Sequence, residues 1–199
     1  WRREILRGLL GADVVGFHTA GYAYHYAYAC SQLLGLELAG DTVNDDGRPV
    51  RVAAFPIGID AHAFAARAAC DAVKEAVAAI IADAQGRKIV LSVDRLDYTK
   101  GIVRRLKAIE RLLHAEPELR ERVHFIQLVV PTRENVDAYA DYRSAVHELV
   151  GRINGAFATP TRSAISFMHR SVARDELSAL YVAADVMLVT PLRDGMNLV

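Results

Sequence analysis

Apolar positions along this chain recur in two alternating patterns. Short unbroken apolar runs predict buried strands, and runs spaced at three and four residues predict helices. The strands are expected at 13–17 (Asp-Val-Val-Gly-Phe), 50–55, 88–93 (Lys-Ile-Val-Leu-Ser-Val), 125–130 and 186–189. Helices are expected at 1–10, 22–34, 61–84, 102–114, 135–153 and 172–184. In the fourth of these, Ile102, Leu106, Ile109 and Leu113 share one face. The stretch Gly40 to Pro49 is polar and turn-rich, with its turn at Asn44-Asp45-Asp46-Gly47. Strands that alternate with helices in this way predict an α/β protein with parallel sheets covered on both faces. Pro56 to Phe64 leaves a strand through Pro and Gly and is the expected hinge between two domains.

Composition narrows the class. With 52% hydrophobic residues in a chain of 199, a sizeable core is possible. Lys plus Arg and Asp plus Glu each number 24, so no nucleic acid or anionic membrane surface is implied as partner, and any basic site must be local. Charges and prolines interrupt every apolar run short of a membrane span. Cys30 and Cys70 lack metal or disulfide spacing and read as buried thiols in a reducing cytoplasm. The histidines, His18, His25 and His169 among them, show no ligand spacing and read as structural or surface residues. The chain opens at Trp1 without an initiator Met and closes inside the run Pro191 to Val199, which reads as an internal piece of a longer protein.

In open α/β sheets ligands bind beyond the carboxyl ends of the strands. Three such loops carry charge here: Asp94 to Gly101, with Arg95 and Lys100; Pro131 to Asn135, with Arg133; and Thr190 to Leu198, with Asp194, Gly195 and Asn197. An Arg fork and a Lys point charge ahead of a helix N-terminus suit a diphosphate. Arg133, at an expected helix start, would form a second anion site. Asp194 offers a carboxylate for sugar hydroxyls, and Gly195 allows close backbone approach. The plainer readings stay open. Arg95 and Lys100 could be solvated loop charges paired with Asp94 or Asp97, and Arg133 could pair with Glu134 or Asp137. Arg143 lies on the line Val136, Tyr139, Val146, Val150 and reads as either a paired, semi-buried structural residue or a cleft residue, the first being the preferred reading. The tyrosines at 22, 24, 26 and 28 read as packing and surface residues. Neither a GxxxxGK[ST] loop nor a GxGxxG fingerprint is present, which argues against P-loop and dinucleotide-binding folds.

Several blocks occur together and in order: Gly16-Phe17-His18-Thr19, Phe55 to Asp60, Val93-Asp94-Arg95-Leu96-Asp97-Tyr98-Thr99-Lys100-Gly101, Gly151-Arg152-Ile153-Asn154-Gly155 and Thr190 to Val199. With them the chain resembles the trehalose-6-phosphate synthase family of glycosyltransferases over essentially its whole length. The resemblance implies a GT-B type fold of two Rossmann-like domains with parallel sheets, only part of each present. Residues 1–64 would end the N-terminal, acceptor-side domain, and residues 65–199 would begin the nucleotide-sugar-binding domain.

That resemblance also implies roles. Arg95 and Lys100 would stabilise the leaving diphosphate; Val172 would lie by the nucleobase; Asp194, Gly195, Met196, Asn197, Leu198 and Val199 would line the donor; Arg133 would hold the acceptor phosphate. The reaction implied is retaining transfer of glucose from UDP-glucose to glucose 6-phosphate in trehalose biosynthesis, in the cytoplasm and without cofactor or metal. The isolated piece would be inactive, because cleft residues fall before Trp1 and after Val199. Another phosphorylated or cyclitol acceptor, a silent sugar-phosphate-binding regulator, a UDP, ADP or GDP donor, and a homo-oligomer all stay open. One departure falls between Ala156 and Met168, where the family's usual bulky residue and Tyr-Leu pair are absent.

Overall fold

A computed structural model describes residues 1–132 and 137–199. The chain forms two compact units, Trp1–Ile59 and Asp60–Asn197, and the division falls inside the expected hinge segment.

The first unit runs α1 (Arg2–Leu9), β1 (Val14–Phe17), α2 (Ala20–Leu34), β2 (Glu37–Ala39), β3 (Thr42–Asp45) and β4 (Arg48–Ala54). Its sheet order is β1-β4-β3-β2. The β1–β4 pair is parallel, in the register Val15↔Val52, whereas β4–β3 and β3–β2 are antiparallel. Parallel pairing therefore describes one of this sheet's three strand pairings. The polar stretch read as loop contains β3 and the start of β4, whose alternation is too short and too polar to announce itself. Its expected turn does form: Asp46 (φ 52°) and Gly47 (φ 87°) take consecutive left-handed conformations, the signature of a two-residue hairpin turn. Thr19 caps α2 by accepting from the Tyr22 amide at 3.2 Å. One face of α2 then buries Ala23, Tyr26 and Cys30 against Val15, Val43 and Val50.

The second unit runs α3 (Ala61–Ala68), α4 (Asp71–Asp83), β5 (Lys88–Arg95), a 3₁₀ turn (Tyr98–Lys100), α5 (Ile102–Ala115), α6 (Leu119–Arg122), β6 (Val123–Val130), α7 (Asp137–Phe157), β7 (Ile165–His169), α8 (Arg174–Ala183) and β8 (Val186–Met187). The sheet is parallel throughout, in the order β7-β6-β5-β8. From β5 the chain builds outward to β6 and β7, then returns to place β8 on the other side. That reversal between β5 and β8 is a topological switch point, where such sheets open a crevice. Ile102, Leu106, Ile109 and Leu113 of α5 bury against one sheet face with Phe125 and Val129. Leu180 and Ala183 of α8, with Ala84 beyond α4, cover Ile89, Leu91 and Leu128 on the other. Strand β6 is buried on both faces, which is why it reads as a continuous apolar run.

Three sequence readings change. The expected helix 61–84 is two helices, broken at Ala69 and Cys70. Alanine favours helix at every position, so only tertiary contacts mark the break: Arg67 pairs with Asp175 at 2.6 Å and Phe64 meets the Tyr181 ring at 5.8 Å, holding α3 on α8. Cys30 is buried as expected, but Cys70 is exposed at that break, its Sγ 3.5 Å from the Ala66 carbonyl. Strand β7 was not expected; it lies at the sheet edge, and Asn154 fixes its start by accepting from the Ala164 and Ile165 amides at 3.1 and 2.9 Å.

Among the described residues, no helix is long and apolar enough to cross a membrane, and no group of three or more His, Cys, Asp or Glu side chains could hold a metal ion.

Candidate functional site

The crevice side of the switch point is built from the segment after β5 and the segment after β8. Asp97 organises the first. Its Oδ1 accepts from the Thr99 amide at 2.9 Å and hydroxyl at 2.7 Å, and its Oδ2 accepts from the Tyr139 hydroxyl of α7 at 3.2 Å. Burial works to raise the Asp97 carboxyl, yet these donors together hold it below the usual carboxylate range. The 3₁₀ turn thus formed ends at Gly101, left-handed at φ 69°, from which α5 begins without a side-chain cap. A Cβ on Gly101 would stand 2.6 Å from the Thr190 carbonyl oxygen. Both the backbone angle and the close approach therefore require glycine.

The second segment is zipped to the first by backbone. The Thr99 carbonyl accepts from the Leu192 amide at 2.7 Å and the Arg193 amide at 3.3 Å. This brings Asp194 to Lys100, and the two side chains form an ion pair in which each is only 12% exposed. Lys100 holds the Asp194 carboxyl below its ordinary value, with a smaller contribution from Arg95. Lys100 is therefore not a solvated charge paired with Asp94 or Asp97. Asp194 Oδ1 also accepts from the Met196 amide at 3.3 Å, and Asn197 Oδ1 from the Val199 amide at 2.9 Å. These two short turns leave Gly195, Met196, Leu198 and Val199 exposed. Asn197 Nδ2 is buried with no hydrogen-bond partner among the described residues.

Beneath the rim lies a buried charged group. Asp94 is 5% and Arg105 3% exposed, and they pair at 2.5 Å. Burial pushes the Asp94 carboxyl up, against the opposing pull of Arg105. Neither Arg105 nor its partner Gln127 stood out as a site residue in sequence. The available signal was a charge at position 105 on the apolar face of α5, and an amide inside the apolar run of β6.

The structure thus joins Lys100 with Asp194 and brings Arg95 close enough to act on the same carboxylate. Val172 stands apart from this pair, just before α8, with its side chain packed on the core. Arg143 is half-buried beside Leu96 and His169. His18 serves the first unit, its Nδ1 accepting from the Ile57 amide at 3.1 Å. Arg133 and the start of the helix expected from 135 lie outside the described residues. A cavity of about 630 Å³ lies between α4 and α8 over Ile126 and Met168, lined by none of the rim residues. Its wall is largely apolar and it presents no cation for a phosphate.

The sequence model of glycosyltransferase family 20 matches residues 1–199. The chain is 48% identical over 198 residues to alpha,alpha-trehalose-phosphate synthase [UDP-forming] 2 of Aspergillus fumigatus, covering 100% of this chain and 41% of that protein. It is 46% identical to the Schizosaccharomyces pombe alpha,alpha-trehalose-phosphate synthase [UDP-forming], covering 100% of this chain and 39% of the other. Among solved structures it is similar to the Burkholderia xenovorans alpha,alpha-trehalose-phosphate synthase (UDP-forming) in complex with glucose-6-phosphate. There the TM-score is 0.90 at 38% identity, over 98% of this chain and 44% of that one. It is also similar to the E. coli protein bound with UDP-2-fluoro glucose, with a TM-score of 0.87 at 30% identity over 98% and 43%. The chain therefore spans about two-fifths of the length of the proteins it matches.

Proposed function

From a chain that belongs to glycosyltransferase family 20, we propose that the protein containing it transfers glucose from UDP-glucose to glucose 6-phosphate with retention, giving trehalose 6-phosphate, and that this piece supplies the donor-diphosphate grip. The observation that carries the reading is the Lys100–Asp194 pair at the switch point, with Arg95 beside it and the uncapped start of α5 behind. A sugar–diphosphate bond breaks with its electron pair moving to the phosphate. Arg95, Lys100 and the first-turn amides of α5 stabilise that charge with fixed donors already in place. Asp194 accepts from sugar hydroxyls, and the exposed backbone from Gly195 to Val199 lines the donor. Val172 serves the base through its backbone, and Arg133 holds the phosphate of the acceptor. The unit Trp1–Ile59 belongs to the acceptor-side domain and Asp60–Asn197 to the donor-side domain. The work is done in the cytoplasm, without a metal.

The test is product analysis with the full-length protein. UDP-glucose, ADP-glucose and GDP-glucose are each supplied with glucose 6-phosphate, and the product is read by NMR. Trehalose 6-phosphate with both anomeric centres α, formed fastest from UDP-glucose, is expected. No transfer from any donor, with sugar phosphate still bound, would point to a silent binding protein; transfer only to a different acceptor would reassign the substrate.

A further inference from the structure

Arg105 makes three side-chain bonds, two to neighbouring strands and one to the segment that follows a third. Its Nε donates to Gln127 Oε1 on β6 at 3.0 Å, its Nη2 to Asp94 Oδ2 on β5 at 2.5 Å, and its Nη1 to Thr190 Oγ1 just beyond β8 at 3.0 Å. The sheet order here is β6-β5-β8, so one planar guanidinium ties two neighbouring strands to the segment that leaves the third, across the switch point.

The third bond falls where the backbone ladder has run out. Strands β5 and β8 pair only at Val90↔Val186 and Leu91↔Met187, followed by the Leu188 amide on the Leu91 carbonyl at 2.8 Å and Ser92 Oγ on the Leu188 carbonyl at 3.0 Å. Past Leu188, the segment leading to Asp194 is tied down by Arg105 at Thr190 and by the Thr99 carbonyl at Leu192 and Arg193. The Thr190 carbonyl is also the group that sits against Gly101. Where Thr190 stands therefore decides where both Asp194 and the Lys100 turn stand. A buried ion pair alone would need only a charge opposite Asp94, not a fork that also reaches Gln127 on β6 and Thr190 beyond β8.

We propose that Arg105 is a positioning residue: its guanidinium fixes the segment after β8 against the turn after β5, and so sets the geometry with which Lys100 and Arg95 receive a nucleoside diphosphate. This rests on the donor-side reading above.

The experiment compares Arg105→Lys, Thr190→Val, Arg95→Ala and Lys100→Ala in the full-length protein, with UDP as the probe. Calorimetry gives UDP affinity, steady-state kinetics give kcat and the KM of glucose 6-phosphate, and thermal melting reports the fold. Arg105→Lys keeps a charge for Asp94 but cannot reach Gln127 and Thr190 together. Thr190→Val removes one acceptor and leaves the buried pair whole. Arg105→Lys is expected to weaken UDP about tenfold or more and Thr190→Val about three- to tenfold, with kcat lowered, acceptor KM unchanged and melting within a few degrees of wild type. Wild-type UDP affinity in Thr190→Val and in any Arg105→Lys that folds would overturn the proposal and leave Arg105 as the neutraliser of Asp94. If Arg105→Lys does not fold, Thr190→Val decides alone. The alanine variants separate the two levels. If they lose UDP while Thr190→Val and any folded Arg105→Lys keep it, only the positioning role fails; if they too bind UDP like wild type, the donor-side reading fails and takes this proposal with it.

Discussion

Lys100 and Asp194 stand 94 positions apart in sequence, yet they close on each other as an ion pair with both side chains largely shielded from water. The cation that would meet a diphosphate is thus already neutralised by the carboxylate that would meet the sugar. A bare diphosphate must compete with Asp194 for Lys100. Asp194→Asn in the full-length protein is therefore expected to bind UDP severalfold more tightly, by about 1 kcal/mol, as for a modest ion-pair contribution. Turnover with UDP-glucose should fall, because a sugar contact is lost. Weaker UDP binding by calorimetry would mean that Asp194 holds Lys100 in its productive place and does not compete with the ligand.

Arg95→Ala and Lys100→Ala should each lower kcat by two to three orders of magnitude. Removing one fixed stabiliser of transition-state charge costs about 2.7–4 kcal/mol. The melting temperature of Arg95→Ala should stay near wild type, since that side chain is exposed, whereas Lys100→Ala should melt somewhat lower while still folding, because it leaves the shielded Asp194 carboxylate without its partner. Near-normal turnover in either variant would restore the view of that residue as a surface charge.

Arg133→Ala distinguishes the two anions of the reaction. Loss of a charged hydrogen bond worth roughly 1.5–3 kcal/mol should weaken glucose 6-phosphate by one to two orders of magnitude, with UDP binding little changed. Free glucose as acceptor should lose far less. Equal losses for UDP and acceptor would move Arg133 to the donor side.

Gly101 and Gly86 offer a matched pair, both left-handed, at φ 69° and 81°. Alanine at Gly86 meets nothing within 4 Å and should cost only the backbone preference, about 1 kcal/mol. Alanine at Gly101 must also displace the Thr190 carbonyl, so it should cost distinctly more stability and weaken UDP as well. Equal unfolding midpoints for the two variants would show that the segment after β8 yields without penalty.

Asp185 predicts a pH effect at the other end of the same strands. Lys88 Nζ donates to its Oδ1 at 2.6 Å and the Ile89 amide to its Oδ2 at 2.9 Å, which holds the carboxyl below its ordinary value, Lys88 contributing most. A depressed folded-state pKa stabilises the fold above the unfolded value near 4, and that contribution is lost as pH falls through the lower folded value. Asp185→Asn should therefore be less stable than wild type at pH 7, and the gap in urea midpoint should narrow below pH 4. A gap independent of pH would assign its origin to packing.

Much of this protein could be read from residue order. Long apolar runs such as Ile89 to Val93 and Phe125 to Val130 specify buried parallel strands, because only a strand covered on both faces tolerates them. The Asn44 to Gly47 turn, the helix carrying Ile102, Leu106, Ile109 and Leu113, and the charged loops after β5 and β8 are local features with local causes. Other features required the folded chain. The short strands β2, β3 and β7 have too little pattern to stand out and form because a neighbour offers unpaired backbone groups. Helices α3 and α4 separate because two different surfaces claim a uniformly helix-favouring stretch. Above all, the sequence supplied Lys100 and Asp194 as candidates, but their partnership arises only where β8 returns beside β5. It depends on an Arg105 guanidinium whose three partners lie 11, 22 and 85 positions away, a set that tertiary packing alone could assemble.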